Sequence, residues 1–242
     1  MNKQNIISFV LAFLFVIILN SCGILKQSPK TAFVDGVYSQ KIEHKKQKVY
    51  IDINEDEDVL RIYSIKKNNK QITVDSTEKV YLYPKKIEIL GYKKSNFSKC
   101  SFDVDFLTIP LKYRFATTDA YQQLNANLNG AIYLGFRKDN YTVKYKTNPF
   151  NKSKRSISHY GFSFGICTGI GNTAMNPTNT NNKTTQEYDG VVWAKGITGI
   201  MAIDNLTVGL TAGFDNLLDK NNTIWVYENK PWIGLSFGLN LN

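Results

Sequence analysis

Leu206, Val208, Leu210, Ala212 and Phe214 occupy every second position of one stretch, and Thr207, Gly209, Thr211 and Gly213 fill the positions between them. A period of two places the sets on opposite faces of a strand, so large apolar groups go one way and small ones the other. The scheme recurs at Tyr160, Phe162, Phe164, Ile166 and Ile170 against Gly161, Ser163, Gly165, Cys167, Gly169 and Gly171. It recurs again at Ile233, Leu235, Phe237, Leu239 and Leu241 against Gly234, Ser236, Gly238 and Asn240. From Leu124 a fourth strand sets Leu124, Ala126, Leu128, Ile132, Leu134 and Phe136 against Asn125, Asn127, Asn129, Tyr133 and Arg137. Residues 190–203 carry apolar groups on both faces, through Val192, Trp193, Ile197 and Ile200, and read as a fifth. Ser101 to Phe115 reads as a sixth, with a parity shift between Phe106 and Leu107 and a Pro110 that implies a bulge or an unpaired ladder position. No segment after the N-terminal apolar run has a helical period, so the fold class is all-β.

Several of these runs exceed the five or six residues usual in a soluble sandwich. A tilted strand needs about 9–11 residues to cross a hydrocarbon layer, and a closed barrel leaves no edge unsatisfied there. The expected architecture is an antiparallel up-and-down β-barrel over residues 101–242, of eight strands with six clearly legible. A soluble sandwich or lipocalin-like barrel, with the apolar faces meeting in a core, is the competing arrangement. Connection lengths favour the membrane form. A tight Asp204-Asn205 turn lies between the long, Asn-rich connections Asn172–Tyr188 and Asn216–Pro231, as short periplasmic turns alternate with longer outer loops. Trp225, Tyr227 and Trp232 then fall where interfacial aromatics are expected. Residues 33–95 carry short β-branched runs, Lys48–Ile53, Val59–Ile65, Gln71–Val74, Lys79–Tyr83 and Lys86–Leu90. They form either a small N-terminal β segment or the two strands missing from the barrel.

The N-terminus carries an address. A fourteen-residue apolar run, Ile6 to Leu19, follows Lys3 and ends at Asn20-Ser21-Cys22. It is too short for a spanning helix and has the length of a signal-peptide core. Leu19-Asn20-Ser21-Cys22 resembles the lipobox of bacterial lipoproteins, most closely its Bacteroidota form. The resemblance implies a signal peptide over 1–21, a lipid-modified Cys22 and a tether over 22–32. Leu107-Thr108-Ile109-Pro110-Leu111-Lys112-Tyr113-Arg114, the stretch Gly161–Gly171 and the ending from Gly213-Phe214-Asp215 to Lys230-Pro231-Trp232-Ile233-Gly234 resemble small outer-membrane β-barrel proteins of Bacteroidota. That resemblance covers about residues 100–242 and implies outer-membrane localisation with membrane lipid as partner.

Chemistry is scarce. The formal net charge of +10 is spread along the chain, with no basic stripe of the kind that reads nucleic acid, so no nucleic-acid partner is expected. With two histidines and no metal spacing among Cys22, Cys100 and Cys167, no metal or other cofactor is expected, and Cys100 and Cys167 read as separate thiols. Gly161-Phe162-Ser163-Phe164-Gly165 matches a nucleophile elbow in letters, but strand alternation runs through the serine, and His44 and His159 both precede it. Gly169-Ile170-Gly171-Asn172-Thr173-Ala174 lacks the helix that a dinucleotide needs, and Asp52 to Asp58 lacks the glycine of a calcium loop. No nucleophile with an orienting partner can be assembled, so no catalytic residue is named and a non-enzymatic protein is expected. Asp103 and Asp105 share one face, and Lys112 and Arg114 share another stretch of face. They are either an interior ion-pair network or exposed rim charges, and the parity shift at Phe106 and Leu107 decides which way the second pair points. The expectation is a lipid-anchored outer-membrane scaffold or interaction protein with mobile outer loops, an envelope protein or glycan as partner, and at most a narrow pore. A lipid-tethered soluble domain binding an apolar ligand or glycan is the alternative.

Overall fold

The computed structural model describes residues 31–42, 45–54, 59–68, 71–74, 81–83, 94–118, 121–147, 149, 153–203 and 206–240. The proposed signal segment, Cys22, most of the tether and the run Lys86–Leu90 lie outside them. Among the described residues there are twelve strands: β1 (Gly36–Ile42), β2 (Lys45–Asn54), β3 (Val59–Asn68), β4 (Gln71–Val74), β5 (Tyr81–Tyr83), β6 (Ser95–Arg114), β7 (Gln123–Asn125), β8 (Asn129–Thr147), β9 (Ser153–Met175), β10 (Tyr188–Ile203), β11 (Leu206–Leu217) and β12 (Pro231–Asn240). Every pairing is antiparallel. Among the described residues no helix is long and apolar enough to cross a membrane.

Pairing runs in the order β6, β8, β9, β10, β11, β12, and β12 pairs in turn with β6 across Asp105–Arg114. Lateral partners starting from Asp105 are Tyr133, Cys167, Gly196, Gly213 and Trp232, and the path meets β6 again at Arg114, nine residues further along. Six strands take part, the six that the alternation makes legible, rather than eight. The N-terminal strands do not complete this path. β1 joins the other end of β6 through Ser39↔Ser98 and Gln40↔Phe97, and β2 and β3 follow outward from it. The boundary expected between 95 and 101 therefore falls inside one continuous strand, because β6 is twenty residues long.

Inner faces stack three apolar layers. Tyr38, Val49, Ile51, Leu60, Ile62, Phe97, Tyr141 and Val143 fill the end nearest β1–β3. There the Tyr38 hydroxyl donates to Val34 O at 2.7 Å, and burial pushes its phenol up to about 12. Leu107, Ile109, Ala131, Tyr133, Cys167, Ala194, Ile200 and Trp232 form the middle, and Met175, Val192, Leu217, Trp225 and Tyr227 the far end. Cys167 is buried and Cys100 exposed, both as free thiols.

The parity of β6 changes at Pro110–Leu111, not at Phe106–Leu107. Asp103, Asp105, Leu107 and Ile109 are buried at odd positions, and Lys112 and Arg114 at even ones. Opposite them the partner pairs shift from Phe237↔Thr108 to Leu235↔Leu111, so one extra residue enters β6. Proline, which has no N–H to leave unsatisfied, suits that bulge.

Gly135 and Gly165 face each other across β8 and β9. A Cβ on Gly165 would stand 2.1 Å from Leu134 O and 2.4 Å from the Gly135 Cα, so the ladder closes only because both side chains are absent. Gly165→Val is expected to cost about 1–3 kcal/mol by overpacking, read as a lower urea midpoint of the purified protein. A midpoint equal to the parent's would mean that the two strands stand farther apart.

Candidate functional site

The outward positions of the six-strand path are apolar and exposed. They include Phe102, Phe106, Leu111 and Tyr113 on β6, Ile132, Leu134 and Phe136 on β8, and Tyr160, Phe162, Phe164, Ile166 and Ile170 on β9. Val191, Trp193, Ile197, Met201 and Ile203 on β10, Leu210 and Phe214 on β11, and Ile233 and Phe237 on β12 continue it. Thr168 and Lys195 interrupt the belt. The Lys195 ammonium lies 4.9 Å from the Trp193 ring, and the Trp193 indole N–H donates to Thr168 Oγ1 at 2.8 Å. On β8 the belt ends sharply. Outward positions pass from Ile132, Leu134 and Phe136 to Lys138, Asn140, Thr142, Lys144 and Lys146 with no change of parity.

Inside, the pattern is reversed. Among the described residues the buried Asp, Lys, Arg and His side chains are Asp103, Asp105, Lys112, Arg114, Arg137, Asp139, His159 and Asp215. Carboxylates and cations are thus nearly balanced, as burial of charge requires. All four charges singled out in β6 are buried, and the bulge at Pro110 is what lets both pairs face inward.

Asp215 is the hub at the far end. Its Oδ1 and Oδ2 each accept from Lys112 Nζ at 3.1 Å, Oδ2 accepts from Arg114 Nη2 at 2.5 Å, and Oδ1 from Trp232 Nε1 at 2.9 Å. Two cations and an indole N–H converge on one fully buried carboxylate. The Lys112 ammonium also sits 4.4 Å from the Trp232 ring, and the Arg114 guanidinium 4.9 Å from Trp225 and 5.5 Å from Tyr227.

Trp225, Tyr227 and Trp232 therefore do not face lipid as interfacial aromatics. All three point inward and are buried, because a desolvated guanidinium and ammonium give their ring faces stronger partners than an interface would. Burial pushes the Tyr227 phenol up, with Arg114 pulling the other way. The long connections are likewise folded in. Glu228 accepts from Asn216 Nδ2 at 2.7 Å and from Leu217 N at 2.8 Å, and Asn229 N donates to Asp215 O at 2.9 Å. Val226 N donates to Asn179 O at 3.0 Å, tying this connection to the one before it. Asn181, Asn182 and Asn229 adopt positive φ, a conformation that asparagine tolerates better than most residues.

Smaller hydrogen-bonded groups occupy the middle. The Tyr133 hydroxyl and Ser163 Oγ are 2.7 Å apart, and Thr198, Thr211 and Ser236 form a chain at 2.9 and 3.2 Å. Toward β1, Asp139 Oδ1 accepts from Arg137 Nε at 2.8 Å and lies 2.7 Å from His159 Nε2. Ser163 sits mid-strand, four residues or about 13 Å along β9 from His159, too far for proton transfer between them. Among the described residues no group of His, Cys, Asp and Glu is arranged to hold a metal ion.

Asp215 and Asp139 are not singled out by the sequence reading, although a signal exists for the first. Thr207, Gly209, Thr211, Gly213 and Asp215 are one parity series, so the aspartate continues the small inner face. No protein family, curated protein or solved structure matches the chain.

Proposed function

We propose that the chain is a small outer-membrane β-barrel protein, held additionally by lipid on Cys22, that serves as a non-enzymatic envelope scaffold. The observation that carries this reading is the inversion of the six-strand path, apolar outside and charged inside. A water-soluble sheet would bury Phe162, Phe164 and Leu210 and expose Asp215 and Lys112; here the reverse holds. An apolar belt of this extent marks a surface meant for lipid or a partner. The nine-residue advance around the path fits the stagger that strongly tilted strands need to close on themselves.

A scaffold is favoured over a pore because the interior is filled. Trp232, Tyr133, Leu107, Ile109, Lys112 and Arg114 are all buried within it, and Trp225 and Tyr227 close the far end. The same filling argues against a tethered soluble carrier, which would need that volume for its ligand. In this arrangement β1–β3 sit on the periplasmic side with the lipid anchor, and the packed connections 176–187 and 218–230 present a fixed outer surface to an envelope protein or glycan.

Alkaline extraction of membranes tests both halves of the reading in one experiment. The parent and Cys22→Ser are each expected to stay in the carbonate-resistant pellet and to migrate faster unboiled than boiled, while only the parent takes up a fatty-acid probe. Release of Cys22→Ser into the supernatant would mean that lipid alone holds a soluble domain. Labelling that persists in the variant would sink the anchor.

A further inference from the structure

Two grooves meet where the outward face of β8 changes from Phe136 to Lys138, and Lys138 lines both. The first, of about 540 Å³, is walled by Phe102, Phe136, Phe162 and Phe164, with the Phe102 and Phe136 rings 5.7 Å apart edge to face. All four rings are exposed, so they form an apolar shelf at the margin of the belt. The second, of about 460 Å³, lies over the junction of β1, β6 and β8 and holds Lys41, Lys46 and Lys138 among Ser39, Ser98, Asn140 and other neutral groups. Among the described residues no acidic side chain lines either groove. Asp139, adjacent in sequence, is turned into the interior, where Arg137 and His159 engage it. Asp52 faces Arg61 instead, at 3.8 Å.

We propose that these grooves together hold one anionic glycerophospholipid, its acyl chains along the phenylalanine shelf and its phosphate among Lys41, Lys46 and Lys138. The proposal rests on the membrane reading for its setting, since the shelf opens onto the belt and the lysines begin where the belt stops. Juxtamembrane lysines draw anionic headgroups, and a phosphate brought to this groove meets three cations and, among the described lining residues, only neutral groups beside them. A choline headgroup would bring its own cation against the same lysines, which selects an anionic lipid over a zwitterionic one. The hydroxyls and amides between the lysines, from Ser39, Ser98 and Asn140, suit a polyol such as glycerol.

Short-chain lipids below their micellar concentration test this with the full chain purified in detergent, by isothermal titration. Dihexanoylphosphatidylglycerol is expected to bind about tenfold or more tightly than dihexanoylphosphatidylcholine, and Lys41→Gln/Lys46→Gln/Lys138→Gln to abolish that difference. Phe136→Ala, on an exposed ring, should weaken both lipids. Equal affinity for the two lipids in the parent, or an unchanged preference in the triple variant, would overturn the headgroup assignment. Glycerol phosphate binding as tightly as the lipid would overturn the shelf and leave a soluble-anion site. The probes are soluble, so this titration reads the groove whether or not the belt lies in a bilayer, and carbonate extraction reads the belt separately.

Discussion

Asp215→Ala is expected to abolish the folded, fast-migrating form in detergent, or to leave it only at low urea. Removing this one carboxylate strands Lys112 and Arg114 in a buried setting and takes the acceptor from the Trp232 indole. Breaking a buried ion pair from one side costs about 3–5 kcal/mol, against total stabilities of about 5–15 kcal/mol for whole domains. Asp215→Asn keeps the shape and one acceptor, so an intermediate loss is expected. The informative arm is Asp215→Leu combined with Lys112→Met and Arg114→Met. Replacing a buried network as a set by apolar groups of similar size is often neutral, and this triple variant should recover much of what Asp215→Ala loses. Equal stability of Asp215→Ala and the parent would mean that the carboxylate does not stand between those cations.

That hub also marks how far the sequence could be read. Strand alternation made β6, β8, β9, β10, β11 and β12 legible, and the face of each residue followed from its parity. The regular strands β9 and β11 were therefore readable residue by residue. β6 was not, because a one-residue bulge moves every later side chain to the other face. A shift at Phe106 or at Pro110 puts Lys112 on the face of Asp103 alike, and the placement decides instead that Leu107 and Ile109, not Thr108 and Pro110, fill the buried face. Trp225, Tyr227 and Trp232 were misread for another reason. An aromatic near a membrane boundary has two good environments, interfacial water or the face of a buried cation, and local sequence does not say that Arg114 lies across the fold. β1 escaped notice because Gly36–Ile42 has little alternation of its own and gains its pairing from β2 and from the distant Ser98.

Leu210→Arg carries the sharpest expectation about environment. Leu210 is 64 % exposed near the middle of the belt, so its neighbours outside the chain are either water or lipid. In water an arginine at such a position changes stability by only about 0.5 kcal/mol in either direction. In a bilayer it costs about 2–4 kcal/mol near the midplane. Leu210→Phe is expected to be harmless in both settings, since nothing of the chain packs over it. Gly209, one residue away, faces inward, where an added Cβ would meet Ser236 Oγ at 2.4 Å and the Gly199 carbonyl oxygen at 3.2 Å. Gly209→Phe should therefore block assembly whatever surrounds the belt, and serves as the control for the inner face. The measurement is the fraction of each variant that is both carbonate-resistant and fast-migrating when unboiled. The expected order is parent and Leu210→Phe high, Leu210→Arg strongly reduced, Gly209→Phe absent. A fully assembled Leu210→Arg would place the belt in water or against a polar partner, because no hydrocarbon layer accepts a guanidinium at that depth without the penalty.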